Sequence, residues 1–139
     1  MFFGEYRHQL DEKGRIRIPA KLRNKLSDNY SITKGANGCL VVLTEDELKK
    51  VTEKIVSPEL NDFDTLKLNR ALFSSLIEAE EDNQGRVSIP QNLRDFAKIK
   101  KNVVTIGAGA RIEIWAEEEW DKYLNEEDFD TILKKTQKQ

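Results

Sequence analysis

The sequence predicts a mainly β fold of the α+β class, built from two copies of one unit with short helices between and after the strands. Three observations predict it. The phrase "LDEKGRIRIPAKLR" from Leu10 returns as "EDNQGRVSIPQNLR" from Glu81, so that Asp11, Gly14, Arg15, Ile18, Pro19, Leu22 and Arg23 recur as Asp82, Gly85, Arg86, Ile89, Pro90, Leu93 and Arg94. The repeat then continues, because "TKGANGCLVVLTEDEL" from Thr33 matches "TIGAGARIEIWAEEEW" from Thr105 in outline. Apolar and polar residues also alternate with period two through "EYRHQL" and "RIRIP", as they do in a half-buried strand.

Each element has its own signature. In the opening strand Tyr6, His8 and Leu10 face inward and Glu5, Arg7 and Gln9 outward. "DEKG" is a turn, with Asp bonding its own backbone and Gly free to take positive φ. The next strand turns Ile16 and Ile18 inward and Arg15 and Arg17 outward. Pro19 ends the ladder and suits the first turn of a helix, where Leu22 and Leu26 share a face. Two apolar runs flank Asn37-Gly38, a hairpin signal. Thr44 and Glu47 form a capping box for a helix carrying Leu48, Val51 and Ile55 on one side. Pro58 breaks the chain, after which "NDFDTLKLNRALFSSL" reads as a helix with Phe63, Leu66, Phe73 and Leu76 or Ile77 as its buried stripe. The second unit repeats the pattern and closes on a helix with Trp120 and Leu124; in the charged tail Phe129, Ile132 and Leu133 offer a docking face. The expected divisions are a first unit over residues 5–47, a helical linker over 48–75, a second unit over 76–119 and a helix with a charged tail over 120–139. A single unit of this size lacks the surface to bury a core of its own, so two units facing one another would complete one core from Ile16, Ile18, Val87 and Ile89.

The 139 residues are 38% apolar and 35% charged, the balance of a globular protein with a charged surface rather than a disordered chain. No apolar run suits a membrane span, and "MFFGEYRHQL" lacks the basic region and long apolar core of a signal peptide. The single cysteine, Cys39, excludes an internal disulfide and a multi-cysteine metal site and points to the reducing cytoplasm. The net charge of −2 speaks against a polyanionic partner until its distribution is considered. Residues 1–26 hold seven Lys or Arg against three acids, whereas residues 75–139 hold ten against fourteen. Screening confines electrostatic attraction to about 8–10 Å, so a locally basic face can still bind nucleic acid.

No catalytic constellation emerges. The acidic runs Glu78, Glu80, Glu81, Asp82 and Glu117, Glu118, Glu119 read as solvated surface, the second favoured by a helix start. His8, the only histidine, sits at an inward strand position as a packing residue, and Cys39 as a core thiol. "GAGA" from Gly107 lacks the Lys-Ser/Thr sequel of a phosphate loop. Trp115 and Trp120 suit a core or an interface. The reading is a non-enzyme without cofactor or metal.

The paired motifs "DEKGR" (Asp11 to Arg15) and "DNQGR" (Asp82 to Arg86), the opening "MFFG", the strand order and the linking helix resemble the MraZ family of bacterial transcriptional regulators, whose units are DNA-binding domains of the SpoVT-AbrB type. The resemblance spans nearly the whole chain. It implies a swapped-hairpin β-barrel made by the two units of one chain, assembly into a ring-like homo-oligomer, and a cytoplasmic, nucleoid-associated protein. It further implies binding to double-stranded DNA at short direct repeats upstream of the protein's own division and cell-wall operon. Arg15 and Arg86 would contact DNA, with Asp11 and Asp82 orienting them. One departure lies two residues beyond each motif arginine, where Arg17 is answered by Ser88.

The residues themselves leave two readings of the motif open. Asp11–Arg15 and Asp82–Arg86 are either exposed ion pairs that close hairpins, worth about 0–1 kcal/mol each, or orientations of arginines toward DNA. On the second reading Arg15 and Arg17 share a solvent face, joined by Arg7 from the paired strand and Lys13 at the turn tip. Three guanidiniums on one face await an anion, and their forks suit phosphate or the guanine edge. Lys21, Arg23 and Lys25 are either phosphate contacts or a solvated helix face, and Arg23 and Arg94 either contacts or structural ion pairs. A competing function is a protein-interaction or scaffold module whose basic face meets an acidic protein.

Overall fold

The computed structural model describes residues 1–55 and 62–137. Pro58, expected to break the chain, lies outside them. The element order is β1 (Glu5–Gln9), β2 (Arg15–Arg17), α1 (Ala20–Arg23), β3 (Tyr30–Lys34), β4 (Leu40–Thr44), α2 (Glu45–Ile55), α3 (Phe63–Ser75), β5 (Ile77–Glu78), β6 (Arg86–Ser88), α4 (Gln91–Phe96), β7 (Asn102–Gly107), β8 (Ile112–Ala116), α5 (Glu117–Asn125) and α6 (Phe129–Gln137). The fold is α+β and its strand pairings are antiparallel.

Among the described residues the strands form a six-stranded sheet of order β1-β7-β8-β4-β3-β5 and a two-stranded ribbon, β2-β6. In the repeat β1, β3 and β4 correspond to β5, β7 and β8, so the order reads the same when the two units are exchanged. The registers obey the same local dyad. Ile16 stands opposite Val87 in the ribbon, and Val41 opposite Glu113 at the centre of the large sheet; each pair consists of equivalent repeat positions.

This interleaving corrects one expectation. β1 does not pair with β2, the strand that follows its turn; it pairs with β7 of the other unit, Arg7 opposite Val104. The Asp11–Gly14 turn sends β2 onto β6 instead. The physical reason is core completion: Ile16, Ile18, Leu22, Val87, Ile89 and Leu93 are all buried in one cluster with Ile32, Val42, Ile112 and Ile114. Each such side chain contributes about 1.5–3 kcal/mol when withdrawn from water, and neither unit supplies enough of them alone.

A second cluster fills the opposite face of the large sheet, where Cys39, Val41, Leu43, Val104, Ile106, Trp115 and Trp120 are covered by Leu48 and Val51 of α2. Trp115 lies 5.1 Å from Trp120 and 4.9 Å from Tyr123, ring centre to ring centre. Burial pushes the Cys39 thiol up to about 12, which makes it an inert core group. The Asn37-Gly38 hairpin forms as the dipeptide predicts, both residues at positive φ.

Two helices depart from their expected packing. The stripe on α3 is covered only in part: Phe63 is 73% and Phe73 37% exposed, while Leu66, Leu76 and Ile77 are half-buried. α3 rests on β3 through small polar groups, Thr33 donating to the Leu72 carbonyl at 3.0 Å, and the buried residue of the helix is Ser75. On α5, Trp120 turns inward while Leu124 stays 45% exposed. Phe129, Ile132 and Leu133 of α6 are also exposed.

Candidate nucleic-acid interface

The repeated phrase folds twice into the same turn. Asp11 Oδ1 accepts from the backbone N–H groups of Lys13 and Arg15, both at 2.9 Å, and Oδ2 from Arg15 Nε at 2.6 Å. Asp82 does the same with Gln84 N, Arg86 N and Arg86 Nε, each at 2.9 Å. Gly14 and Gly85 close the turns at φ 73° and 76°, a conformation that a β-carbon resists. The N–H of Arg15, first, with its guanidinium, holds the Asp11 carboxyl below the ordinary carboxylate range; the N–H of Arg86 leads the same effect at Asp82. Spacing explains the motif: the carboxylate caps the turn while the side chain four residues on crosses back to it.

The ribbon brings the two turns together. Arg15 lies opposite Ser88, and Arg17 opposite Arg86. Each motif arginine also reaches the other unit's aspartate, Arg15 Nη1 at 3.9 Å from Asp82 Oδ2 and Arg86 Nη1 at 3.8 Å from Asp11 Oδ2. Two local ion pairs therefore become one four-residue network across the dyad. Its arginine side chains remain 25% and 29% exposed, open to a ligand. Alternation turns Ile16 and Val87 into the core and leaves Arg17 and Ser88 exposed. Arg17 has no ion-pair partner among the described residues, although like charges directly opposite one another destabilise a strand pair.

The expected site residues thus divide. Arg15, Arg17, Arg86, Asp11 and Asp82 converge on one ribbon, with Lys13 on the first turn. Arg7 does not join them. Its guanidinium sits on the edge strand of the other sheet, 2.9 Å from Asp121, 3.3 Å from Glu5 and 3.4 Å from Glu117. The nearby carboxylates, Asp121 above all, raise its affinity for its proton further still.

Arg23 and Arg94 both make contacts that hold the fold together. Arg23 is 2.7 Å from Glu81 and donates to the Leu26 carbonyl, tying the first unit's helix to the second unit's opening. Tyr30 donates to the same Glu81 at 2.8 Å. Arg94 donates to the Ile89 carbonyl at 2.9 Å and lies beneath the first turn, where a β-carbon on Gly14 would come within 2.8 Å of its Cζ. Sequence reasoning missed this support and the crossed Arg–Asp contacts. The signal was present: a motif that repeats within one short chain, with an alternating strand after it, can pair with its own copy.

Comparison with known proteins follows the repeat. The model of the family described as "MraZ protein, putative antitoxin-like" matches residues 1–70 and again 72–139. The chain is 45% identical over 134 residues to the "Transcriptional regulator MraZ" of Natranaerobius thermophilus, covering 95% of this chain and 94% of that one. Its identity to the protein of the same name from Clostridium beijerinckii is 46% over 136 residues, 97% and 96% of the two chains. Against that of Heliobacterium modesticaldum it is 46% over 123 residues, 88% and 86%. With two family matches that between them take in almost every residue, and relatives aligned nearly end to end, the chain belongs to the MraZ family.

Proposed function

We propose that this chain is a transcriptional regulator, not an enzyme, which reads double-stranded DNA with the β2–β6 ribbon. The observation that carries the reading is the convergence of both motif arginines with Arg17 on one solvent face, where Arg17 stands opposite Arg86 and has no counter-ion among the described residues. A two-stranded ribbon fits the major groove, and guanidinium forks suit guanine O6/N7 and phosphate. Arg15, Arg86 and Arg17 make the contacts, Asp11 and Asp82 orient the forks, and Lys13 meets the backbone from the turn. Arg7, enclosed by three carboxylates, is left out of the contact set. The name shared by the relatives supports the regulatory role.

The finer features belong to the same proposal. The units span residues 5–47 and 76–119, joined by the linker 48–75 and followed by the segment 120–139. Their exchanged strand pairing supports a swapped-hairpin barrel. The uncovered apolar side chains of α3 and α6 support a ring-like homo-oligomer, whose subunits would together read short direct repeats upstream of the chain's own division and cell-wall operon. No described helix is long and apolar enough to cross a membrane; the cytoplasm, at the nucleoid, is the proposed location. The second reading, an interaction module whose basic face binds an acidic protein, is favoured by the family's description as antitoxin-like.

Fluorescence anisotropy separates the two. The probes are the duplex upstream of the protein's own gene and a shuffled duplex, from ~50 to ~300 mM salt, with wild type, Arg15→Ala and Arg86→Ala compared. The expected result is binding that prefers the native duplex, weakens steeply with salt at about −0.9 per neutralised phosphate on a log–log plot, and is lost in Arg15→Ala. Equal, weak binding to both duplexes that ignores either substitution overturns the reading.

A further inference from the structure

The ribbon is close to a two-fold object at its centre and an asymmetric one at its ends. About an axis between Ile16 and Val87, Arg15 maps onto Arg86, Asp11 onto Asp82, and the 3.9 Å Arg15–Asp82 contact onto the 3.8 Å Arg86–Asp11 contact. The same rotation maps Arg17 onto Ser88, Lys13 onto Gln84 and Glu12 onto Asn83, all exposed. The backbone of B-form DNA also has two-fold axes perpendicular to its length. A symmetric ribbon docked on such an axis meets both directions along the duplex equally, so it can select only palindromic sequence. Direction can be read only where the ribbon departs from its own symmetry.

The departures fall at opposite ends. Arg17 lies beside the second turn, its Nε 3.9 Å from where a β-carbon on Gly85 would stand. That end therefore carries the guanidinium of Arg17, which has no ion-pair partner among the described residues, with the neutral Asn83 and Gln84. The other end carries the first turn, with Lys13 and Glu12, beside Ser88. A guanidinium fork can bond two acceptors of one guanine, whereas an ammonium is a point charge and a serine hydroxyl a short, unselective partner. We propose that Arg17 and its counterpart Ser88, with the turn residues 12, 13, 83 and 84, fix the direction in which this protein sits on DNA. The paired motif arginines supply the symmetric part of the contact, and Arg17 supplies the base reading that only one half of the site receives. The inference rests on the DNA reading above and adds the residues that make its specificity directional.

The test is selection of binding sequences from a pool of fully randomised duplexes, so that no target sequence is assumed. Two symmetrised chains accompany the wild type. In one, Asn83→Glu, Gln84→Lys and Ser88→Arg make the second turn and strand end like the first. In the other, Glu12→Asn, Lys13→Gln and Arg17→Ser do the reverse. All six positions are exposed, and thermal melts of both chains confirm folding before selection. Wild type is expected to enrich a non-palindromic core, and both symmetrised chains a core that is palindromic about its centre. In single-substitution scans of the wild-type core, Arg17→Ser should lose discrimination on the order of tenfold on one side of the centre and none on the other. A palindromic wild-type core, or symmetrised chains that keep the wild-type asymmetry, overturns the proposal while leaving the DNA reading intact. Failure of wild type to enrich any core, or an identical core from Arg15→Ala, overturns the DNA reading itself.

Discussion

Asp11 and Asp82 each accept three hydrogen bonds within their own turns, and this fixes their response to acid. Both hold folded pKa values below the ordinary one, so their contribution to stability is fully present above about pH 3.9 and is lost as pH falls through the lower folded values. Urea melts from about pH 5 downward should therefore lose stability less steeply in an Asp11→Asn/Asp82→Asn chain than in wild type. His8 acts in a different window. Burial lowers its pKa, and its ring bonds the Thr105 hydroxyl at 2.7 Å. The neutral form favoured by folding is fully populated above about pH 6.5, and stability falls as pH drops below it. His8→Gln should flatten the urea midpoint between pH 7 and 5. At this scale the local pairs were legible, because a carboxylate and a guanidinium four residues apart across a turn meet whatever the rest of the chain does. The crossed pairs were not, since they depend on which strand lies alongside.

Among the elements, capping and burial behave as their chemistry dictates. Thr44 Oγ1 accepts from the Glu47 N–H at 3.2 Å at the start of α2, so Thr44→Ala should cost about 1 kcal/mol in a denaturant titration. Leu93 of α4 is completely buried, and Leu93→Ala should cost about 2–5 kcal/mol. Leu124→Ala on α5 should stay within about 0.5 kcal/mol. The strands, the hairpin at Asn37-Gly38 and the short helices after Pro19 and Pro90 were all legible, because alternation, positive-φ residues and proline act locally. The stripe on α3 was misread at Phe63 and Phe73, which stay exposed, and not at Leu66, Leu76 or Ile77, which are half-buried. Helical periodicity shows that an apolar stripe exists, but not what is present to cover it. The pairing of β1 was misread for a related reason: a turn following a strand suggests a hairpin, while the apolar row on β2 had a better partner in its own repeat.

For the molecule as a whole, the exchange of strands makes the two units one body with two clusters, and it leaves most of its uncovered apolar groups on α3, α5 and α6. The proposed assembly places those groups between subunits. A Phe63→Ser/Phe73→Ser chain should sediment as a smaller species than wild type and bind a multi-repeat duplex more weakly, while its affinity for a single repeat stays unchanged. The pairing of β1 with β7 also has a consequence for how the protein is made. His8 meets Thr105 across 97 residues of chain, and at 5–20 residues per second the first strand leaves the ribosome roughly 5–20 s before its partner has been synthesised. Ile16 and Ile18 have no Val87 or Ile89 to lie against until 71 further residues have been made. The earliest part of the nascent chain thus waits for the second repeat before it can become native, and a product truncated between the repeats exposes the row that the finished protein hides.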